Sequence, residues 1–116
     1  MADRVIFMGW NRPVAGREKQ AMQLFQKATA YYSKLKTEGK IESFESVFLM
    51  PHGGDLNGFT LIRGDANKLA GFHDEPTAVE LRLEASYCLE GYGVVTGITG
   101  EAITNRFPQW LKLIGS

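Results

Sequence analysis

The chain has 116 residues, of which 44% are hydrophobic and 22% are charged, and this size and composition predict one ordinary globular domain over residues 1–116. Thirteen basic and thirteen acidic residues leave no net charge, which removes the long-range attraction that nucleic-acid binders use. The single cysteine excludes an internal disulfide, and no apolar run is long enough to cross a bilayer. We therefore expect a cytoplasmic protein that binds neither nucleic acid nor membrane.

The first part of the chain predicts a strand followed by a long helix. Residues 5–10 are continuously apolar or β-forming, as in a buried strand, and Pro13 cannot extend the ladder. From about Gly16 to Glu38, apolar residues recur with the period of an amphipathic helix. Gly39 stands where a residue of left-handed conformation ends such a helix.

A hairpin is predicted next. Residues 40–50 alternate between two apolar faces, with Phe44 on one face and Ile41 on the other. Residues 58–63 form the partner strand, after a turn-rich connection over residues 51–57.

The second half of the chain predicts helical segments before a last strand. Asp65 is placed to cap a short helix over residues 66–72. Pro76 opens a further helix, in which the spacing of Thr77 and Glu80 predicts a capping box. The expected inner stripe of this helix consists of Val79, Leu83 and Tyr87.

Residues 91–99 form the last predicted strand, and a short helix is expected over about residues 104–114. The order strand, helix, strand, strand, helix, strand is the ferredoxin-like βαββαβ arrangement of the α+β class. Its four-stranded antiparallel sheet has helices on one face, and here the other face carries large apolar residues. We therefore expect a homodimer in which two sheets pack face to face.

With this order of elements, the chain resembles the dimeric α+β barrel superfamily over about residues 3–101. That group includes antibiotic-biosynthesis-monooxygenase-like, YCII-like and muconolactone-isomerase-like proteins. Residues 10–18, 41–45 and 51–58 look like an uncharacterised bacterial family of the group. The resemblance implies the dimeric barrel fold, but the wider group includes cofactor-free oxygenases, haem-handling enzymes and isomerases, so it implies no single activity.

The connection over residues 51–58 is the first candidate site. His52 is a candidate general base, oriented by Asp55 as its carboxylate partner, and Asn57 adds a ligand-binding amide. The alternative is ordinary turn chemistry, in which Asp55 and Asn57 bond their own backbone.

Charged and aromatic residues on the strands and near the start of the first helix form a second set of candidates. Arg12 and Arg17 flank the start of the first helix and suit a carboxylate clamp, or else pair with nearby carboxylates. Trp10 suits an aromatic ligand wall and Glu45 a buried acid or base, with interface packing and a paired edge residue as the alternatives.

Two functional hypotheses remain open. The first is a small cofactor-independent enzyme, monooxygenase- or isomerase-like, acting on an aromatic or carboxylated metabolite. The alternative is a non-catalytic dimeric module that binds a metabolite or another protein. No metal-ligand spacing, nucleotide loop or serine-hydrolase motif is present, so we expect no cofactor and no metal.

Overall fold

The computed structural model describes residues 2–115. Its elements follow the predicted order, with two additional two-residue strands, a one-turn 3-10 helix and a second short helix at the C-terminal end. They are β1 (Arg4–Trp10), β2 (Arg12–Pro13), α1 (Glu18–Thr37), β3 (Ser43–Phe48), β4 (Gly58–Gly64), α2 (Ala66–Leu69), the 3-10 helix (Phe72–Asp74), α3 (Pro76–Cys88), β5 (Leu89–Glu90), β6 (Gly93–Ile98), α4 (Glu101–Thr104) and α5 (Phe107–Leu113).

The main sheet is four-stranded and antiparallel, in the order β3-β4-β1-β6. The central strand β1 pairs on one side with β4, where Phe7 lies opposite Leu61, and on the other with β6, where Phe7 lies opposite Val95. β2 and β5 form a separate short ladder that connects the end of β1 to the end of α3. The ferredoxin-like α+β fold class is therefore confirmed.

The hydrophobic core lies between one face of this sheet and the helices. Ile6 and Ile62 are almost fully buried on neighbouring strands. Tyr32 and Leu35 of α1 pack on them in the same cluster as Phe72. Because side chains alternate along a strand, this packing directs Phe7 and Leu61 to the opposite, outer face of the sheet.

The predicted ends of two helices are confirmed. Gly39 has φ +74°, and its amide donates to the Lys36 carbonyl while the Lys40 amide donates to the Leu35 carbonyl. These bonds satisfy carbonyls that the end of α1 would leave unpaired. At the start of α2, the Asp65 carboxylate accepts a hydrogen bond from the Lys68 amide at 2.7 Å.

Pro76 opens α3 as predicted, but the predictions of a capping box and of the inner face of this helix are wrong. Glu75 precedes the helix, no side chain caps it, and Thr77 is already helical, so the capping box does not form. Leu83 and Tyr87 are more than half exposed. The inner face instead carries smaller side chains, because α3 packs against the alanine-rich side of α1: Ala78, Leu81, Ala85 and Cys88.

The strand alternation predicted over residues 40–50 holds only for part of its length. β3 begins at Ser43, and the backbone bends over residues 40–42. Ile41 precedes the extended region, so its side chain joins the same core cluster as Phe44 instead of lying on the opposite face. The helix predicted over residues 66–72 also ends earlier, at Leu69.

The last segment of the described chain extends away from the core. Every residue from Thr104 to Gly115 is exposed, and the rings of Phe107 and Trp110 lie 5.5 Å apart on α5. The Cα radius of gyration is 16.2 Å, against about 13 Å for a compact chain of this length. We call residues 101–115 the C-terminal arm.

Among residues 2–115, no helix combines the length and the hydropathy that a membrane crossing requires. The sulfur-bearing side chain of Cys88 is fully buried at the end of α3. The single cysteine led us to expect a cytoplasmic protein, and this location stays a prediction.

Candidate functional site

A cavity of about 410 Å³ lies between the inner face of the sheet and the helices α1 and α3. We call it the main cavity. Its volume falls within the roughly 300–1,000 Å³ that small-molecule sites occupy. Its lining consists of Met8, Trp10, Pro13, Glu18, Ala21, Met22, Leu24, Phe25, Ala28, Tyr32, Phe48, Thr60, Leu81, Ala85, Leu89 and Tyr92.

Small side chains on the two helices leave the space for this cavity. Ala21 and Ala28 of α1 and Ala85 of α3 all line it, and they pack in one cluster. A methyl group at each of these positions fills less of the space beside the sheet than a larger apolar side chain would. The cavity is therefore a consequence of residue size on the inner faces of α1 and α3.

Aromatic rings form one end of the main cavity. The ring of Phe48 contacts Trp10 and Phe25 edge to face, with centroid distances of 5.8 and 5.1 Å. Gly58, opposite Trp10 in the sheet, makes room for the indole, because a Cβ there would lie 2.7 Å from Trp10 Cε2. Phe48 is 65% exposed and Met22 is 66% exposed, so these lining residues mark the opening to solvent.

Few polar groups reach the cavity. The Tyr32 hydroxyl donates to Met8 Sδ at 3.2 Å, and the Thr60 hydroxyl shares a hydrogen bond of 2.8 Å with Ser46. Within residues 2–115, neither the Tyr92 hydroxyl nor the Trp10 indole N–H has a hydrogen-bond partner. These two groups are available to a ligand.

Tyr32 and Tyr92 also separate the main cavity from a small one of about 10 Å³, which His73 and Arg82 help to line. Burial raises the pKa of the Tyr32 phenol well above its ordinary value of 10.0, and the neighbouring Tyr92 adds to the effect. Burial also raises the pKa of Tyr92, against a smaller lowering by Arg82. Both hydroxyls therefore stay protonated at neutral pH: the Tyr32 hydroxyl donates to Met8, and the Tyr92 hydroxyl keeps a proton that it can donate to a ligand.

The predicted general base His52 lies in the loop after β3, outside the lining of the main cavity. The Gly54 amide donates to its Nδ1 at 3.2 Å, so Nε2 carries the proton and donates to the Leu56 carbonyl at 2.7 Å. The Asp55 carboxylate makes no hydrogen bond to this ring. The catalytic roles of His52 and Asp55 stay predictions, and both ring nitrogens are used within the loop itself.

Asn57 joins this loop to the end of β1. Its side-chain amide donates to Asn11 Oδ1 at 2.6 Å and to the Gly54 carbonyl at 3.2 Å. Its backbone amide donates to the Trp10 carbonyl at 2.9 Å. These bonds hold the loop beside Trp10, and ligand binding by Asn57 stays a prediction.

The charged candidates are all paired outside the main cavity. Arg12 forms a 2.9 Å ion pair with Glu90, and Glu45 forms a 2.8 Å ion pair with Arg63 on the outer face of the sheet. The Arg17 guanidinium lies 3.8 Å from the centre of the Tyr87 ring. Of the predicted site residues, Trp10 lies in the lining of the cavity, and the ligand-binding roles of the others stay predictions.

Glu18, Thr60, Tyr32 and Tyr92 also line the cavity, although no sequence motif marks them as site residues. Tyr32 and Tyr92 were indistinguishable from core residues by periodicity alone. Among the described residues, no group of three or more His, Cys, Asp or Glu side chains is placed to hold a metal ion.

Comparisons with known proteins agree with this fold. No family model and no curated protein matches the chain. A dimeric protein of unknown function with a ferredoxin-like fold from Bacteroides fragilis is 17% identical with a TM-score of 0.58, over 83% of this chain and 96% of its own. Hydroxynitrile lyase from Passiflora edulis is 19% identical with a TM-score of 0.63, over 85% and 95%. SnoaB, a cofactor-independent oxygenase from Streptomyces nogalater, is 15% identical with a TM-score of 0.50, over 85% and 93%.

At these identities the likeness establishes the fold alone. The ferredoxin-like fold is confirmed at that level, with the sheet and its helices covering most of both chains.

Proposed function

We propose that the chain binds a small, flat, mainly apolar metabolite in the main cavity and acts on it as a cofactor-independent enzyme. The observation that carries this proposal is an apolar cavity of about 410 Å³ with two unpartnered hydrogen-bond donors, on Trp10 and Tyr92. Apolar surface supplies affinity in such sites, and a few placed polar groups orient the ligand.

The chemistry follows from the protonated phenols. Tyr92 donates a hydrogen bond to an oxygen of the bound molecule, and the bond strengthens when that oxygen gains negative charge, as in an enolate or phenolate. Isomerase-like and oxygenase-like reactions both pass through such anions. The similarity to a hydroxynitrile lyase and a cofactor-independent oxygenase is consistent with an enzyme of this kind.

Binding is tested by filling the cavity. Ala28→Phe places a ring in the space between α1 and the sheet, whereas Ala30→Phe places the same ring on the exposed face of the same helix. Calorimetric titration with 2-naphthalenemethanol should show binding to the native chain and to Ala30→Phe, and loss of binding in Ala28→Phe. Equal affinities for the two variants would refute the cavity as the site.

The role of Tyr92 is tested with a matched pair of probes. Tyr92→Phe should weaken 2-naphthalenemethanol about threefold to tenfold, the effect of one hydrogen bond, and leave 2-methylnaphthalene binding unchanged. An equal loss for both probes would mean that the variant changes the shape of the cavity and that the hydroxyl is not a donor to the ligand.

A non-catalytic binding module is the second candidate function. One observation favours it: Glu18 alone, among the described lining residues, is a carboxylate or imidazole, and it is exposed. A module would bind the probes without turnover. Aerobic incubation of the protein with hydroxylated naphthalenes, followed by mass spectrometry, distinguishes the two, because an enzyme yields products that Tyr92→Phe forms more slowly.

We also propose that the protein is a homodimer, paired through the outer face of the sheet. This face carries Phe7 stacked on Phe59, with ring centroids 5.0 Å apart, and Leu61 beside them. Burial of such a face is worth roughly 25 cal/mol per Å², and the similar protein from Bacteroides fragilis is dimeric.

Light scattering tests the dimer against the chain mass of 12.9 kDa. Leu61→Glu places a charge on the outer face and should give a monomer, while Leu83→Glu, on the exposed side of α3, should leave the dimer intact. A monomeric native chain, or a dimer that survives Leu61→Glu and dissociates with Leu83→Glu, would contradict the sheet interface.

A further inference from the structure

The charges around the opening of the main cavity are unequal. Glu18, the first residue of α1, is exposed and lines the cavity. It is the one charged side chain in the described part of the lining, and no described basic side chain forms an ion pair with it. The charge of its carboxylate is therefore not neutralised by an ion pair and is available to a ligand of the cavity.

The nearest sequence candidates for an anion clamp are engaged elsewhere. Arg12 is held by Glu90. Arg17 donates to the Tyr87 carbonyl at 3.0 Å and stacks on the Tyr87 ring. Neither residue contributes to the cavity lining. An anionic ligand would therefore meet the Glu18 carboxylate with no described guanidinium in the cavity to offset it.

The aromatic end of the cavity acts in the same direction. The rings of Trp10, Phe25 and Phe48 contact one another at this end of the cavity, and an aromatic ring attracts a cation at its face. The N-terminus of α1 opposes this effect with the equivalent of about half a positive charge, which is smaller than the full charge on Glu18. Among the described residues that line the cavity, Glu18 carries the one full charge, and this charge favours a cationic ligand.

We infer that the metabolite bound by the main cavity carries an amino group, which sits as an ammonium ion beside Glu18 while a flat apolar body fills the space between the sheet and α1. This inference rests on the proposed function, since it specifies the ligand of the same cavity. It makes Glu18 a specificity-determining residue that discriminates ligands by charge.

Three probes of similar size test the inference, each with a hydroxyl at position 6 for Tyr92 and a different group at position 2 for Glu18: 6-hydroxy-2-naphthalenemethylamine, 6-hydroxy-2-naphthalenemethanol and 6-hydroxy-2-naphthoate. At neutral pH they present a cation, a neutral group and an anion on the same ring system. Calorimetric titration of the native protein should rank them in that order, with steps of about threefold to tenfold in affinity. Raising the ionic strength from about 0.01 M to about 1 M should compress the series, because the screening length falls from about 30 Å to about 3 Å.

Glu18→Gln removes the charge and keeps the size of the side chain, so it should bring the amine close to the alcohol in affinity. The matched control is Glu80→Gln, which changes an exposed glutamate of α3 outside the cavity lining and should keep the native ranking. Circular dichroism establishes that both variants are folded.

The possible results separate the two proposals. If none of the probes binds the native protein, the proposed cavity function fails. If the alcohol binds but the amine binds no better, or if Glu18→Gln keeps the preference for the amine, the cavity is a site and the charge inference is overturned.

Discussion

Raising the pH above 10 should destabilise the protein through Tyr32, whose phenol is 7% exposed and has a raised pKa. In the unfolded chain this phenol loses its proton near pH 10.0, while in the folded protein it keeps the proton to higher pH. The unfolded state then binds fewer protons than the folded state, so the free energy of unfolding falls as pH rises. The stabilisation is complete below pH 10 and is lost above it.

The expected size follows from linkage. If Tyr32 stays protonated in the folded protein, ionisation of the unfolded chain at pH 11 removes about 1.4 kcal/mol relative to neutral pH. Tyr32→Phe has no phenolic proton to lose at this position, so its free energy of unfolding should fall by about 1.4 kcal/mol less than that of the native protein over the same pH range. Its stability at neutral pH should change by about 1 kcal/mol, because the variant loses one weak hydrogen bond to Met8.

Urea unfolding followed by circular dichroism at fixed protein concentration measures both proteins at about pH 8 and about pH 11. Tyr87→Phe, which alters an exposed ring, should retain the alkaline loss of the native chain. If the native protein and Tyr32→Phe lose equal stability between these pH values, burial does not hold the proton on Tyr32, and the donor role argued for the buried phenols loses its support.

Three further predictions test the fold around the cavity. Ile62→Ala should lower the free energy of unfolding by about 3 kcal/mol, since Ile62 is 0% exposed. Leu83→Ala, on the exposed side of α3, should cost less than about 1 kcal/mol, and equal costs in urea unfolding would contradict the assigned core. Cys88 is 0% exposed and burial raises its pKa, so a thiol reagent should modify it only as fast as the chain unfolds. A faster reaction with the folded protein in a colorimetric assay would show that the thiol is accessible. Asp65→Ala should lower the free energy of unfolding by about 1 kcal/mol in thermal or urea unfolding, because the Lys68 amide loses its hydrogen-bond acceptor. Asp65→Asn should recover most of this loss. An unchanged stability of Asp65→Ala would mean that water replaces the cap.

The order of elements was predictable because periodicity and breaking residues agreed along the chain. The helix α1 has a clear apolar stripe, and Gly39 supplies the left-handed residue at its end. Tertiary packing decided the orientation of α3. The large residues Leu83 and Tyr87 suggested an inner stripe, but the close approach of α1 favours the small side chains on the adjacent face.

The site was less predictable for a related reason. Polar loop residues such as His52 were predicted to be catalytic, because a titratable side chain in a glycine-rich turn is also found in catalytic sites. The main cavity is instead formed by side chains from distant segments, including Ala28, Ala85 and Trp10. Their contribution is the space between them, and a single sequence does not record which distant residues face a common void.

Gly58 gives this cavity a boundary that is fixed by the backbone. The indole of Trp10 lies where the side chain of residue 58 would be, so the ring rests directly against the strand and cannot retreat further from the cavity. Any side chain at this position would have to push the indole toward the helices, into the volume open to a ligand. Glycine carries only a hydrogen atom where other residues carry a side chain, so the cavity already has its largest extent on this side. Any substitution at position 58 can therefore only make the site smaller.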